Sequence, residues 1–238
     1  MKAEAEKERM RGNLLRAVSH DLRTPLTSIY GACSAMLENY DALPRQTHIK
    51  LLSDVCADAQ WLVRMVENLL SVTRVDTSTV RLSKNDTVLE ELIDAVLVKF
   101  HKHYPDTEVH VEIPEEFVSI PMDAMLISQV LMNLLENAVF HAKGMKDLWL
   151  RVEVKGFWAY FYVEDDGCGI PEEKLPKLFT GMLNSETPTD QSRSSMGIGL
   201  SVCSAIIKAH GGEIWAKKRA GGGTEVGFRL EMEDENGE

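Results

Sequence analysis

The spacing of apolar residues divides the chain into two parts with different periods. In residues 1–76, apolar positions recur at alternating steps of three and four, which is the seam spacing of packed helices. Residues 39–44, Asn-Tyr-Asp-Ala-Leu-Pro, interrupt this pattern and predict a turn between two helices. The first run contains Leu15, Val18, Leu22, Pro25, Ile29, Ala32 and Met36, and the second contains Leu51, Val55, Leu62, Met65, Leu69 and Val72, with Asp58 interrupting it. A two-helix hairpin cannot bury so long a seam alone, so we expect a homodimeric four-helix bundle.

From about residue 80 the pattern changes to mixed strand and helix. Strand-like runs cover residues 109–113, 148–154, 158–163, 213–216 and 224–230, and helical runs cover 89–100, 124–141 and 200–210. Because strands and helices do not alternate strictly, the expected fold is an α+β sandwich, one sheet covered on one face by helices. The predicted domains are residues 1–77 and 80–232, separated by the polar hinge Thr77-Ser78-Thr79. Residues 233–238 form an acidic tail.

Composition excludes several classes of protein. A hydrophobic fraction of 44% and a charged fraction of 26% over 238 residues are typical of a soluble globular protein. The net charge of −11 argues against a nucleic-acid partner, since neutralising phosphates requires positive charge. The four cysteines lack metal-ligand spacing, so we interpret them as free thiols in a reducing compartment, with Cys56 and Cys203 in the core.

The chain has no apolar run long enough to cross a membrane and no signal peptide. It begins with a charged, helix-forming segment that has no N-terminal cap. We therefore expect a cytoplasmic fragment of a larger protein, with no direct membrane contact of its own.

The first candidate site is the run Ser19-His20-Asp21-Leu22-Arg23-Thr24-Pro25-Leu26. The imidazole of His20 can act as a nucleophile, and Asp21 can accept or orient its proton. His20 lies about 200° around the helix from both Val18 and Leu22, so it is expected to point away from the seam. A histidine–aspartate pair alone is usually only surface.

The second candidate site is the helix at residues 124–141. Gln129, Asn133, Asn137 and His141 follow one another at steps of four beside its apolar face. Asparagine is a poor helix former, so two aligned asparagines in mid-helix need a reason. Hydrogen bonding to neighbouring loops would explain them about as well as a ligand would.

Two glycine-containing segments follow. Asp165-Asp166-Gly167-Cys168-Gly169-Ile170 comes after a strand, where a carboxylate and two glycines let backbone approach a flat ligand. Gly197-Ile198-Gly199-Leu200 opens a helix, whose free N–H groups favour a phosphate. Between them, the polar residues 182–195 have the composition of a lid or of a surface loop.

In this order the motifs resemble the catalytic core of two-component sensor histidine kinases, a HisKA dimerisation and phosphoacceptor domain followed by an ATP-binding domain of the GHKL (Bergerat) fold. The resemblance covers nearly the whole chain. Residues 120–124, 133–138 and 197–210 look most like the Kdp-type potassium or turgor sensors. It implies that the chain is the soluble C-terminal part of an inner-membrane sensor.

The resemblance also implies roles for individual residues. His20 would be the phosphoacceptor, Asp21 its proton acceptor, and Thr24 a residue that aims water at a phospho-aspartate, which implies phosphatase activity. Asn133 would act in catalysis and nucleotide binding, Asn137 would ligate Mg²⁺, and Asp165 would accept a hydrogen bond from the adenine amino group. The remaining ATP-binding positions would be His141, Gly167, Gly169, Ile170, Phe179, Gly197, Gly199 and Leu200.

The implied activity is a protein-histidine kinase that autophosphorylates from Mg-ATP and passes the phosphoryl group to the receiver-domain aspartate of a response regulator. Three positions depart from the family pattern: Phe140 replaces a basic residue, Ser195 replaces a glycine, and Met182 stands where a second aromatic is common. Two alternatives therefore stay open. One is a nucleotide-binding module with weakened catalysis. The other is a hydrolytic GHKL ATPase, although such enzymes carry Glu at the position of Asn133.

Overall fold

The computed structural model describes residues 22–76, 82–179 and 196–232. The chain forms two compact units that divide between Leu70 and Ser71, and each is described separately below. The predicted hinge at residues 77–79 and the predicted acidic tail lie outside the described residues.

The first unit is a helical hairpin. Helix α1 is described over residues 22–38, and α2 spans Arg45–Asp76, with a turn between them at residues 39–44 as predicted. Pro25, Ala32 and Asp58 are the buried residues of this seam among those whose side chains the structure describes. In the described part of the chain, no helix is long and apolar enough to cross a membrane.

A second apolar stripe on the hairpin faces outward. On α1 its residues are Leu26, Tyr30 and Leu37. On α2 they are Ile49, Leu52 and Val63. Each of the six is at least 52% exposed. The intrahairpin seam therefore accounts for only part of the apolar surface of these two helices.

The second unit is an α+β sandwich, which confirms the expected fold class. Its elements in chain order are β1 (Asn85–Val88), α3 (Leu89–His103), β2 (Val109–Glu112), β3 (Ser119–Met122), α4 (Ala124–His141), β4 (Leu148–Lys155), β5 (Trp158–Asp165), a short 3₁₀ turn (Leu175–Lys177), α5 (Met196–Ala209), β6 (Glu213–Lys218) and β7 (Thr224–Glu231).

Five strands form the main sheet in the order β2-β4-β5-β7-β6. The β2–β4 pair is parallel and the other pairs are antiparallel. One face of the sheet packs against the helices and forms the core, because alternate residues such as Leu150, Phe161 and Phe228 are fully buried there. Phe161 and Phe228 stack with their ring centroids 4.6 Å apart.

The opposite face of the sheet is closed by its own side chains. Arg151 lies 4.1 Å above the ring of Tyr162, and Arg219 lies 4.1 Å above Trp149. Both arginines also bind the Glu164 carboxylate, at 2.8 Å and 3.1 Å. These stacked and ion-paired groups shield the backbone of β4 and β5 from water.

Three expectations need correction. Strands β1 and β3 pair with each other in a separate two-stranded sheet, and the sequence patterns did not reveal either, since each has only four residues and β3 contains Pro121. Helix α5 begins at Met196, four residues before the predicted start. Cys203 is buried as expected, but Cys56 is exposed, because it lies outside the hairpin seam.

Candidate nucleotide-binding site

Helix α4 has the predicted bounds, Ala124–His141, and forms one wall of the site. Asp123 caps its N-terminus, its carboxylate accepting a hydrogen bond from Leu126 N at 3.3 Å. The apolar face buries Ile127, Val130 and Leu131 completely. Because this face is buried, the polar column beside it projects from a fixed side of the helix. This column consists of Asn133, Asn137 and His141.

Both asparagines of this column have an unsatisfied side-chain nitrogen. Asn133 is only 8% exposed and Asn137 is half-buried, and neither Nδ2 atom has a hydrogen-bond partner among the described residues. A buried donor without a partner destabilises the fold by about 1–3 kcal/mol. Within the described residues, neither Nδ2 atom bonds a neighbouring loop, so an acceptor atom of a ligand would satisfy both donors.

Helix α5 packs beside this column. Cys203, fully buried, lies near Asn133. Burial raises the pKa of the Cys203 thiol to about 12, and its interaction with the Asn133 amide opposes that rise. The thiol therefore stays protonated at neutral pH, and it packs as an uncharged group against the polar column.

The carboxylate of Asp165 ends β5 and is 6% exposed. Its Oδ1 accepts a hydrogen bond from Gly167 N at 2.9 Å. Burial raises the pKa of Asp165, while the backbone N–H groups of Gly167 and Thr224 lower it. A buried carboxylate held at a strand end by backbone donors is a suitable acceptor for an amino group of a ligand.

Glycine is required at two contacts around Asp165. A Cβ on Gly167 would lie 2.6 Å from Ala142 Cβ, and a Cβ on Gly223 would lie 1.8 Å from Asp165 O. Gly223 also has a φ of +88°, which L side chains rarely adopt. The loop after α4, the turn after β5 and the β6–β7 loop thus converge on one carboxylate.

Gly223 and Thr224 are therefore part of the site, although the sequence analysis did not include them. Thr224 is 4% exposed and contributes a backbone N–H to Asp165. The signal available in the sequence is the run Gly221-Gly222-Gly223-Thr224 before a strand, since consecutive glycines permit a close backbone approach.

His141 and Cys168 lie at the junction of α4 and the turn after β5. The Cys168 thiol donates to His141 O at 3.5 Å and to Gly169 O at 3.6 Å. Burial lowers the pKa of His141, so its imidazole is neutral at physiological pH. Cys168 is exposed, so this edge of the site is open to solvent.

The other predicted binding residues lie on helix α5 and in the segment that follows β5. Gly197 and Gly199 lie in the first turn of α5, rather than before it, and Leu200 is 2% exposed. Because α5 begins at Met196, the N–H of Gly197 is among the first-turn donors without a partner within the helix, so the predicted preference for an anion remains there. Ile170 and Phe179 are both half-buried.

Phe140 is 45% exposed and contacts a neighbouring aromatic residue. Its ring meets Tyr104 edge to face, with centroids 6.0 Å apart, and Tyr104 OH donates to Glu136 Oε1 at 3.4 Å. Phe140 stands where the family pattern has a basic residue, and its aromatic ring packs toward α3.

Several predicted site residues lie outside the described residues: His20, Asp21, Met182, Ser195 and the segment 182–195. Thr24 is exposed on α1, in the first unit.

The arrangement in the second unit fits a purine nucleotide with a divalent cation. It offers a buried carboxylate, two unsatisfied amides and glycine-lined backbone. In the described part of the chain, no three His, Cys, Asp or Glu side chains are grouped to hold a metal. Mg²⁺ commonly takes one or two protein oxygens plus phosphate, and the Asn137 side chain offers an amide oxygen for that purpose.

Comparison with known proteins agrees with this geometry. Residues 10–78 match the family described as "His Kinase A (phospho-acceptor) domain", and residues 122–234 match "Histidine kinase-, DNA gyrase B-, and HSP90-like ATPase". The chain is 36% identical over 98% of its length to the sensor protein KdpD of Clostridium acetobutylicum, and 31% identical over 92% to KdpD of Escherichia coli. It spans about a quarter of each relative, 26% and 24%.

Among solved structures, the chain resembles the histidine kinase ThkA in complex with the response regulator protein TrrA. The TM-score is 0.75 at 24% identity, covering 98% of this chain and 65% of that one. At this identity the likeness shows the fold alone.

Proposed function

We propose, from the premise that this chain belongs to the two-component sensor histidine kinases, that it binds Mg-ATP in the site described above and phosphorylates its own His20. The observation that supports this most directly is the pair of unsatisfied, buried amides, Asn133 and Asn137, on the helix that meets the Asp165 turn. Desolvation of these Nδ2 donors is unfavourable unless an acceptor atom of a ligand binds them.

In this proposal Asp165 selects the base. Its Oδ1 is engaged by Gly167 N, so the carboxylate is held in place before ligand binds. A carboxylate accepts a hydrogen bond from the adenine amino group, whereas the guanine carbonyl would place two acceptors opposite each other. Neutral His141 and the half-buried Ile170 and Phe179 supply apolar surface beside the base.

The phosphates would lie against the first turn of α5, which carries Gly197 and Gly199 and whose first N–H groups have no partner within the helix. Asn137 would hold Mg²⁺ through its amide oxygen, and Asn133 would orient the phosphate chain. When bound, Mg²⁺ neutralises charge on the phosphate oxygens.

His20 supplies the nucleophile. Its neutral imidazole nitrogen forms a bond to the γ-phosphorus while the bond from that phosphorus to the β–γ bridging oxygen breaks, releasing ADP. Asp21 accepts the imidazole proton. As in phosphoryl transfer generally, the protein contributes mainly positioning and charge stabilisation.

An aspartate oxygen of a response regulator then bonds to the phosphorus while the bond from the phosphorus to the His20 nitrogen breaks. Thr24 aims a water molecule at this phospho-aspartate, and its hydrolysis releases inorganic phosphate. Thr24 is exposed on α1 and so is accessible to a partner. The outward apolar stripe of the hairpin, with Leu26, Tyr30 and Leu37 at least 53% exposed, supports a homodimeric four-helix bundle.

The identity to two KdpD proteins supports a finer proposal, that the signal is potassium or turgor and that the chain works in the cytoplasm as part of an inner-membrane sensor. No nucleic acid and no direct membrane contact are included in this proposal.

Incubation with γ-labelled ATP tests the activity. The parent chain is expected to incorporate acid-labile label, and His20→Gln is expected to lose the label while still binding ATP. His101→Gln, which removes an exposed histidine on α3, serves as the matched control and should label normally. Acid-labile label that persists in His20→Gln would rule out His20 as the acceptor.

The adenine assignment has a separate test. Asp165→Asn is expected to weaken ATP binding by about tenfold or more and to reduce the preference over GTP, because a mismatched buried polar group costs about 1–3 kcal/mol. Calorimetry that gave the parent affinity for Asp165→Asn would show that Asp165 does not contact the base.

A further inference from the structure

Asp166, the neighbour of Asp165, makes contacts that the proposed chemistry does not use. Its Oδ1 accepts hydrogen bonds from two consecutive backbone donors, Lys146 N at 2.7 Å and Asp147 N at 3.0 Å. Both donors belong to the loop between α4 and β4. These N–H groups lower the pKa of the Asp166 carboxyl, with Asp147 N–H contributing most, so the group stays ionised and accepts strongly.

The same loop is held at a second point. Cys168 N donates to Lys143 O at 3.1 Å, and Gly167 lies so close to Ala142 that no side chain would fit between them. The loop of residues 142–147 is therefore attached to the turn of residues 165–169 along most of its length. Among the described residues, Asp166 is the residue of this turn whose side chain bonds backbone N–H groups of the loop.

This loop directly continues α4, whose last residue is His141. The turn to which it is attached carries Asp165. Any shift of the loop therefore changes the separation between the Asn137–His141 end of α4 and the Asp165 carboxylate. These two groups lie on different elements. The Cys168 thiol also links them, since it donates to His141 O at 3.5 Å, but Asp166 bonds the loop itself through two consecutive N–H groups.

We infer that Asp166 is a positioning residue for nucleotide binding: by holding the α4–β4 loop against the Asp165 turn, it sets the spacing between the two halves of the site. This inference rests on the proposed nucleotide function. Asp166 does not contact the nucleotide in it, and it acts through backbone N–H groups, so an amide oxygen at the same place is sufficient.

The test measures ATP and ADP affinity by calorimetry on the full chain for four proteins: the parent, Asp166→Ala, Asp166→Asn and Asp106→Ala. Asp106→Ala removes an exposed carboxylate in a loop away from this turn. We expect Asp166→Ala to bind about tenfold or more weakly, since two charge-assisted hydrogen bonds are lost. Asp166→Asn should stay within about threefold of the parent, because its side-chain oxygen accepts both N–H groups. Asp106→Ala should match the parent.

A second measurement uses the parent chain alone, in case Asp166→Ala does not fold. Amide hydrogen exchange should show that the N–H groups of Lys146 and Asp147 are protected without nucleotide. If Asp166→Asn keeps the nucleotide affinity of the parent and Asp166→Ala loses it, Asp166 acts by positioning. Equal weakening in Asn and Ala would overturn the inference in favour of a charge effect.

The outcomes separate the two proposals. If the parent binds ATP and Asp166→Ala binds equally well, or if the two amides exchange freely, the positioning role is wrong and the nucleotide site stands. If the parent binds no nucleotide, both are wrong.

Discussion

Replacing Gly223 by alanine should disable the nucleotide site by steric means alone. The new Cβ would lie 1.8 Å from Asp165 O, 2.6 Å from Asp165 C and 2.8 Å from Asp166 Cα. The first distance is about 1.6 Å short of the 3.4 Å at which ordinary contact begins. All three atoms are backbone, so the clash cannot be relieved by rotating a side chain. The end of β5 must move, and the Asp165 carboxylate moves with it.

Gly222→Ala is a matched control. Gly222 has a φ of +109°, comparable with the +88° of Gly223, but a Cβ there meets nothing within 4 Å. Both variants therefore suffer the unfavourable left-handed backbone, about 1–2 kcal/mol. Only Gly223→Ala adds overpacking, which typically costs about 1–3 kcal/mol more.

Chemical denaturation and ATP calorimetry measure the two effects. Gly222→Ala should lose about 1–2 kcal/mol of stability and keep near-parent affinity. Gly223→Ala should lose about 2–5 kcal/mol and bind ATP at least about tenfold more weakly, since 1.4 kcal/mol corresponds to tenfold. If both variants bound ATP equally well, the convergence of the three loops on Asp165 would have no role in binding.

Three further predictions follow from buried and exposed groups. His210 is 4% exposed; its Nδ1 lies 2.8 Å from Ile206 O, and its Nε2 accepts a hydrogen bond from Asp123 N at 3.1 Å. Burial lowers the pKa of His210. Lys84 reinforces this effect, whereas Ile206 O and Asp123 oppose it. The unfolded chain therefore binds the proton more readily, so this stabilisation is present above about pH 6.5 and is lost as pH falls through the lower folded pKa. Denaturation across about pH 8 to about pH 5.5 should show a steeper loss in the parent than in His210→Gln, with His141 contributing equally to both; identical slopes would contradict it. In a Cys56→Ser variant, ATP should slow the alkylation of exposed Cys168, while buried Cys203 should stay unreactive. Mass spectrometry of the labelled protein measures both, and an unchanged rate of Cys168 labelling would count against the nucleotide site. Thr24→Ala should spare autophosphorylation but lengthen the lifetime of phosphate on the partner regulator, and equal lifetimes would refute the phosphatase role of this exposed residue.

The sequence alone determined the class of fold and the identity of the chemical groups. The bounds of α4 followed from its apolar face, because a stripe with a period of 3.6 residues is a local feature of the sequence. The turn at residues 39–44 followed from a break in the helical pattern, and five of the strands followed from alternating or continuous apolar runs. The motifs around Asn137 and Asp165 indicated a nucleotide site through their resemblance to sensor histidine kinases, since each motif alone is also compatible with a structural role.

The tertiary structure decided how these groups meet. Strands β1 and β3 are too short to show a period, and they form because they pair with each other although 30 residues lie between Val88 and Ser119. The contact of Gly223 with Asp165 and the two backbone bonds of Asp166 join segments separated in sequence, so no local pattern contains them. Likewise, only packing shows that Asn133 is buried and that its Nδ2 lacks a hydrogen-bond acceptor among the described residues. Residue types and periods are properties of a segment, whereas closeness and desolvation are properties of the folded chain, and the site depends on both.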